Sequence, residues 1–255
     1  MSYVIFTDLD GTFLNHETYS FKEAEGALNL IKSNNIPLVF VTSKTKSETE
    51  QIIRQINYDV IFSVENGAAV YFPNRDSKIF GKNLVEALCC AQKIKARFDI
   101  KTIFDFDDEE LSEMTQLHVN QIKFMKQREF TLPFLMFENE LENISTLAGE
   151  CGFKILKGGR FFHMVAREQD KGIVVKYVTG ILEKQKPNIT TVGLGDSGND
   201  FELLKNVDLP VVVRKYDGVH DKKLLDIKGA YHTKEVGPKG FSEFVLKLLK
   251  GGHSG

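Results

Sequence analysis

A chain of 255 residues that is 42% apolar and 27% charged has the balance of a globular protein with a sizeable core in one large or two modest domains, which excludes a disordered or fibrous polypeptide. A formal net charge of -2 and the lack of any dense basic run exclude nucleic acid as an expected partner. No apolar run approaches the roughly 20 residues needed to span a bilayer. Met1 and Ser2 lead straight into an apolar segment with no basic leader, and Cys89, Cys90 and Cys151 follow no zinc or disulfide spacing. The expectation is a cytoplasmic protein with no membrane partner, its thiols buried as small apolar groups.

Residues 3–7 are β-branched and aromatic and predict a buried strand that ends in Asp8-Leu9-Asp10-Gly11-Thr12. In an extended chain, residues two apart project to the same side, so Asp8 and Asp10 can face one reacting centre, one to attack and the other to move protons. Residues 21–34 carry apolar side chains at helical spacing. A second strand over 36–41 ends at Thr42-Ser43-Lys44-Thr45, a helix covers 47–57, and a third strand over 60–64 closes at Glu65-Asn66-Gly67. This alternation predicts an α/β fold, a doubly wound parallel sheet of Rossmann type with its ligand site outside the carboxyl ends of the strands.

Residues 68–72 and 78–80, joined by a turn at 73–76, read as a hairpin. From about residue 83 the rhythm changes: helix 84–98, strand 101–106, mostly helix over 107–128, strand 130–137 and helix 140–151. A strand pair over 153–156 and 161–165 then turns at Gly158-Gly159. The expected organisation is a core of residues 1–82 and 169–255 with an inserted α/β cap over 83–168. The core rhythm resumes with helix 171–184, strand 190–194, the loop Gly195-Asp196-Ser197-Gly198-Asn199-Asp200 and helix 201–206. Strand 209–213, a short strand at 231–233 and a closing helix at 241–249 follow, and Gly251 to Gly255 form a loose tail with no assigned role.

Asp8-Leu9-Asp10-Gly11-Thr12 resembles the first motif of the haloacid dehalogenase-like phosphotransferases. In that setting Asp8 is the expected nucleophile, forming an aspartyl-phosphate. Asp10 is the expected general acid and then base, and Gly11 lets the backbone come close to the phosphoryl oxygens. Thr42 offers a hydroxyl beside N–H groups at a helix start, suited to a non-bridging oxygen. Lys171 sits in the first turn of its helix, where a cation opposes the helix dipole and needs a compensating anion. Several carboxylates at one strand-end cleft repel by roughly 4 kcal/mol per pair at about 4 Å, and a divalent cation relieves this. All-oxygen ligation with open positions favours Mg2+. Its expected ligands are Asp8, Asp196 and the backbone carbonyl of Asp10, with Asp200 behind them.

Asp8 to Thr12, Thr42, Lys171-Gly172 and Gly195 to Asp200 together look like the four motifs of the haloacid dehalogenase (HAD) superfamily, in order, with the cap between the second and third. Within it, Thr42 to Thr45, Glu65-Asn66-Gly67, Arg128-Glu129-Phe130, Gly158 to His163 and Asp170-Lys171-Gly172 are similar to the mannosyl-3-phosphoglycerate phosphatases. The resemblance implies a phosphomonoesterase acting on a glycosyl phosphoglycerate. Gly11, Ser43, Lys44, Asn66 and Asn199 are then expected to bind substrate on the core side, and Arg128, Arg160 and His163 on the cap, where bidentate arginine suits a carboxylate. Before Pro133 the resemblance leads us to expect an acid, and this chain has Leu132, a departure that bears on sugar recognition. Other readings of the same residues are a phosphatase for hexose or sucrose phosphate, a phosphomutase or phosphotransferase, and a sugar-phosphate-binding regulator without turnover.

Overall fold

The structure, a computed structural model, describes residues 2–74, 76–158 and 160–250. The expected tail at Gly251 to Gly255, and Arg75 and Gly159 within the expected turns at 73–76 and 158–159, lie outside the described residues.

The chain opens with β1 (Ser2–Thr7), α1 (Glu25–Ser33), β2 (Leu38–Val41), α2 (Lys46–Ile56) and β3 (Ile61–Val64), followed by the hairpin β4 (Ala69–Tyr71) and β5 (Ser77–Ile79). It continues with α3 (Leu84–Lys95), β6 (Lys101–Thr102), α4 (Asp108–Thr115), α5 (Val119–Met125), β7 (Leu132–Leu135), α6 (Leu141–Glu150), β8 (Phe153–Lys157) and β9 (Phe162–Ala166). It ends with α7 (Lys171–Gln185), β10 (Ile189–Gly195), α8 (Phe201–Lys205), β11 (Leu209–Arg214), β12 (Tyr231–Val236) and α9 (Gly237–Lys250).

One sheet has the order β12-β11-β10-β1-β2-β3-β4-β5, parallel from β12 to β3, with the β4–β5 hairpin antiparallel at its edge. β1 alternates between two cores: Ile5 packs with Leu28, Phe40 and Phe241 on one face, while Val4 and Phe6 pack with Val174, Val178 and Leu203 on the other. Burial on both faces is why the strand reads as a continuous apolar run. The strand order reverses between β1 and β10, the crevice where doubly wound sheets bind ligands.

The second sheet, β6-β7-β9-β8, is antiparallel. Phe162 and Met164 of β9 face Cys90, Ile94 and Ile144 of the covering helices. His163, between them, therefore falls on the opposite face, toward the cleft.

Several elements differ from expectation. The strand foreseen over 101–106 stops at Thr102, whose N–H and hydroxyl both donate to Asp105 Oδ2 (2.7 and 2.8 Å) and start a 3-10 turn. The helical stretch 107–128 breaks at Gln116, which adopts φ 61°, and restarts from His118. The strand over 130–137 shrinks to Leu132–Leu135 because the amides of 129–131 are taken by Glu65. The closing helix starts at Gly237, with Pro238 in the first turn, where its missing N–H costs nothing. Of the cysteines only Cys90 is buried; Cys151 is half-buried and Cys89 exposed. Among the described residues no helix is long and apolar enough to cross a membrane.

Candidate active site

The loops that follow β1, β2, β3 and β10 meet the first turn of α7 beside the switch point. Register carries this: Thr7 pairs with Leu194, and the Asp8 N–H donates to Leu194 O at 3.0 Å, so Asp8 lies next to Gly195 and Asp196. Asp170 caps α7 by accepting from the Ile173 N–H at 2.9 Å. Lys171, 1% exposed, then donates to Asp8 Oδ1 and to Asp200 Oδ1, each at 2.6 Å. The other oxygen of Asp200 accepts from the N–H groups of Asp196 and Ser197, both at 3.1 Å. Thr12 donates to Asp196 Oδ1 at 3.5 Å. Gly11 has φ 78°, and a Cβ there would lie 2.7 Å from Asp196 Oδ2, so only glycine lets the β1 turn approach that carboxylate.

Burial pushes the Asp8 carboxyl up to about 7 against the pull of Lys171, with the charges of Asp200 and Asp10 adding to the rise. Asp196 is raised by the same burial and by the charges of Asp200 and Asp8. Burial alone would lower the Lys171 ammonium, but Asp200 and Asp8 outweigh it and hold the group above the ordinary lysine range. Three buried carboxylates around one ammonium are short of positive charge. Asp8, Asp196 and Asp200 each offer one oxygen within 4.8 Å of the others, an all-oxygen donor set that fits a hard divalent ion. Both oxygens of Asp200 accept hydrogen bonds, one from Lys171 and the other from the Asp196 loop.

Around this floor opens a cleft of about 810 Å³. Asp10 lines it, with Lys44 Nζ 3.0 Å from Asp10 Oδ1 and 4.0 Å from Glu48 Oε1. Lys44 also lies 4.7 Å from the centre of the Tyr19 ring. Thr42 is wholly buried and its Oγ1 accepts from the Lys44 N–H at 3.1 Å, which leaves the hydroxyl proton to donate; Ser43 and Lys44 face the cleft. Asn66 and Asn199 line it together, joined by an Asn199 Nδ2 to Asn66 Oδ1 hydrogen bond of 3.4 Å.

The second layer supplies the opposite wall. Arg160 is exposed on it. His163 has a buried Nδ1 without a partner, and burial followed by the charge of Arg128 pushes the imidazole down to about 3, so it is neutral. Arg128 also takes part in the contact between the layers. Its terminal nitrogens are taken by Ser43 O (3.3 Å), Thr131 Oγ1 (2.9 Å) and Glu65 Oε2 (3.5 Å). Its Nε is buried without a partner, and Arg128 lines the cleft, so the Nε side of the guanidinium is not used by the contact between layers.

Sequence reasoning missed Tyr19, which reaches from the β1 loop with φ 54° to pack against a cluster containing Leu117, Met125 and Phe161. It also missed Lys215 and Lys223 on the cleft rim and gave no role to Glu65 or Gln169. A bulky residue with positive φ leaves no mark in sequence, and rim lysines look like any surface lysine.

A doubly wound core with an acid pair after β1, a buried lysine opening α7, an acidic loop after β10 and a second layer over the cleft define a HAD-type phosphatase. The chain belongs to the sucrose-6F-phosphate phosphohydrolase family, which matches residues 1–244. It is 40% identical over 266 residues to a glucosyl-3-phosphoglycerate/mannosyl-3-phosphoglycerate phosphatase of Persephonella marina, covering 96% of this chain and 97% of the relative. The Methanococcoides burtonii protein of the same name is 34% identical over 270 residues, covering 98% of each. A Bacteroides thetaiotaomicron phosphatase of the HAD superfamily shares the fold with a TM-score of 0.73 at 17% identity, over 98% of this chain and 96% of that one.

Proposed function

We propose that the protein hydrolyses the phosphate ester of a glucosyl- or mannosyl-3-phosphoglycerate, with magnesium as its metal and residues 83–168 as a lid on a core of 1–82 and 169–255. The observation that carries the chemistry is Lys171, buried between Asp8 and Asp200 and beside Asp196 at the ends of β1 and β10. The substrate class is supported by the names of the 40% and 34% identical relatives and by a cleft of about 810 Å³, within the roughly 300–1,000 Å³ typical of small-ligand sites.

In this reading an Asp8 oxygen attacks phosphorus as the ester P–O bond breaks, and Asp10 hands a proton to the leaving alkoxide. Asp10 next takes a proton from water, whose oxygen displaces Asp8 and releases inorganic phosphate. Thr42 donates to a non-bridging oxygen, and Lys171 keeps Asp8 oriented for attack. Asp8, Asp196 and the Asp10 carbonyl would hold the magnesium, which supplies positive charge to the phosphoryl oxygens. Ser43, Asn66 and Asn199 surround the phosphate, and Lys44, Arg160 and His163 face the part of the substrate beyond it.

A second reading, hydrolysis of sucrose phosphate, draws support from the description of the family that spans residues 1–244. Phosphate release measured across glycosyl phosphoglycerates, sucrose phosphate and hexose phosphates separates the two. The highest kcat/KM is expected for a glycosyl phosphoglycerate; a preference for sucrose phosphate overturns that choice. Transfer of phosphate to an added sugar in place of release would mean a phosphotransferase.

A further inference from the structure

The turn closing β3 holds three consecutive residues in left-handed backbone: Glu65 (φ 51°), Asn66 (61°) and Gly67 (88°). Glycine takes this conformation freely and glutamate does not, so its presence requires that the surroundings hold it. They do so from across the layer boundary. The Glu65 carboxylate, 1% exposed, accepts from the backbone N–H groups of Glu129 (2.8 Å), Phe130 (3.3 Å) and Thr131 (2.7 Å) and from the Thr131 hydroxyl (2.8 Å). Arg128 Nη1 faces it at 3.5 Å. A buried carboxylate is tolerated only when it is paired and hydrogen-bonded, and these donors all belong to the second layer.

The same turn grips the limb by which the chain returns to the core. The carbonyls of Glu65 and Asn66 accept Gln169 Nε2 at 2.5 and 3.5 Å. A Cβ at Gly67 would lie 2.1 Å from Asp170 O, so the limb runs directly against the turn.

We propose that Glu65 is a positioning residue: it seats the second layer over the acidic floor and sets the register of the wall that faces the substrate. Thr131 immediately precedes β7, and β7 pairs with β9 so that Pro133 stands opposite His163. Fixing 129–131 therefore fixes the strand pair that bears His163 and the turn that bears Arg160. On the core side Asn66, next in the chain, bonds Asn199 in the acid-bearing loop. The neighbouring contacts across the boundary, Thr45 Oγ1 to Phe124 O (2.9 Å) and Ser47 Oγ to Gln127 Oε1 (2.6 Å), are neutral. The ion pair of Glu65 with Arg128 is buried on both sides, whereas that of Lys82 with Glu86 at the chain crossing is exposed.

The inference rests on the lid reading above, and its test has one arm that needs no substrate. Glu65→Gln keeps the shape but turns an amide N–H2 toward donors that now face a carboxylate. Hydrogen exchange at the amides of 129–131 is expected to quicken by about tenfold or more while β1 and β10 are unchanged. In the kinetic arm, KM for glucosyl-3-phosphoglycerate is expected to rise about ten- to a hundredfold, with kcat/KM for p-nitrophenyl phosphate within about threefold. Thr131→Val, which removes one donor to the carboxylate and one acceptor of Arg128 but preserves the carboxylate itself, is expected to show the same pattern at about threefold. Unaltered exchange at 129–131 in both variants, or equal kinetic losses on the two esters, overturns the role of Glu65. Failure of the wild type to accept any glycosyl phosphoglycerate overturns the substrate reading and leaves the exchange arm to decide on Glu65.

Discussion

The floor of the cleft and its wall are built on opposite principles. On the floor the charged groups hold one another in place, although positive charge is in deficit: Lys171 bridges Asp8 and Asp200, and Asp200 also holds the Asp196 loop. On the wall, polar atoms wait for a partner, since His163 Nδ1 is buried and unpaired and Arg160 is exposed. Chemistry common to every phosphate ester needs a preorganised floor, whose donors and charges do not rearrange during reaction. Discrimination among leaving groups needs a wall whose unpaired groups are satisfied only by the right one.

Breaking the floor is expected to have the largest effect. Asp10→Asn should lower kcat by about 10²–10⁴-fold on every ester tested, the span usual for a lost general acid. A change in kcat of less than about tenfold would remove Asp10 from proton transfer. Chelation should stop turnover on all esters equally. Magnesium should restore it, and calcium, larger and less strict in geometry, should bind without comparable turnover. Full activity in excess chelator would contradict the metal reading.

The wall should respond selectively. Arg160→Ala is expected to cost about ten- to a hundredfold in kcat/KM for a glycosyl phosphoglycerate and nothing on a small aryl phosphate, since a charged hydrogen bond is worth roughly 1.5–3 kcal/mol. Equal loss on both would make Arg160 a floor residue in effect, and the distinction between the regions would fail.

The smallest effect concerns stability and pH. His163 is pushed from 6.5 down to about 3 in the fold. Its neutral form therefore contributes stability above pH 6.5, and that contribution is lost as pH falls from 6.5 toward 3. The slope through this window is at most about 1.4 kcal/mol per pH unit for one proton. His163→Gln should flatten the acid limb of stability measured by urea unfolding. An unchanged limb would mean that His163 takes up its proton in the folded state.

The floor was legible in sequence because its signals are local. Asp8 and Asp10 are two apart just past the end of β1, Lys171 opens a helix, and Asp196 and Asp200 share one loop. Strand alternation then brings those segments to one end of the sheet. The wall was less legible because its meaning is set by partners far along the chain. Arg128 read as an anion binder on the cap, and only the fold reveals Glu65 and Ser43 as neighbours of its terminal nitrogens. Glu65 itself stood in a recognisable Glu-Asn-Gly turn with no sequence cue that its carboxylate would collect amides from residues 129–131. The short end of β7 follows from the same capture.

The central claim is that Asp8 carries the phosphoryl group. Rapid acid quenching during turnover, followed by peptide mass spectrometry, reads this directly. The account expects phosphate on the peptide containing Asp8 in the wild type and none in Asp8→Asn, which should also lack measurable turnover. Phosphate on another residue, or sustained turnover by Asp8→Asn, would contradict it.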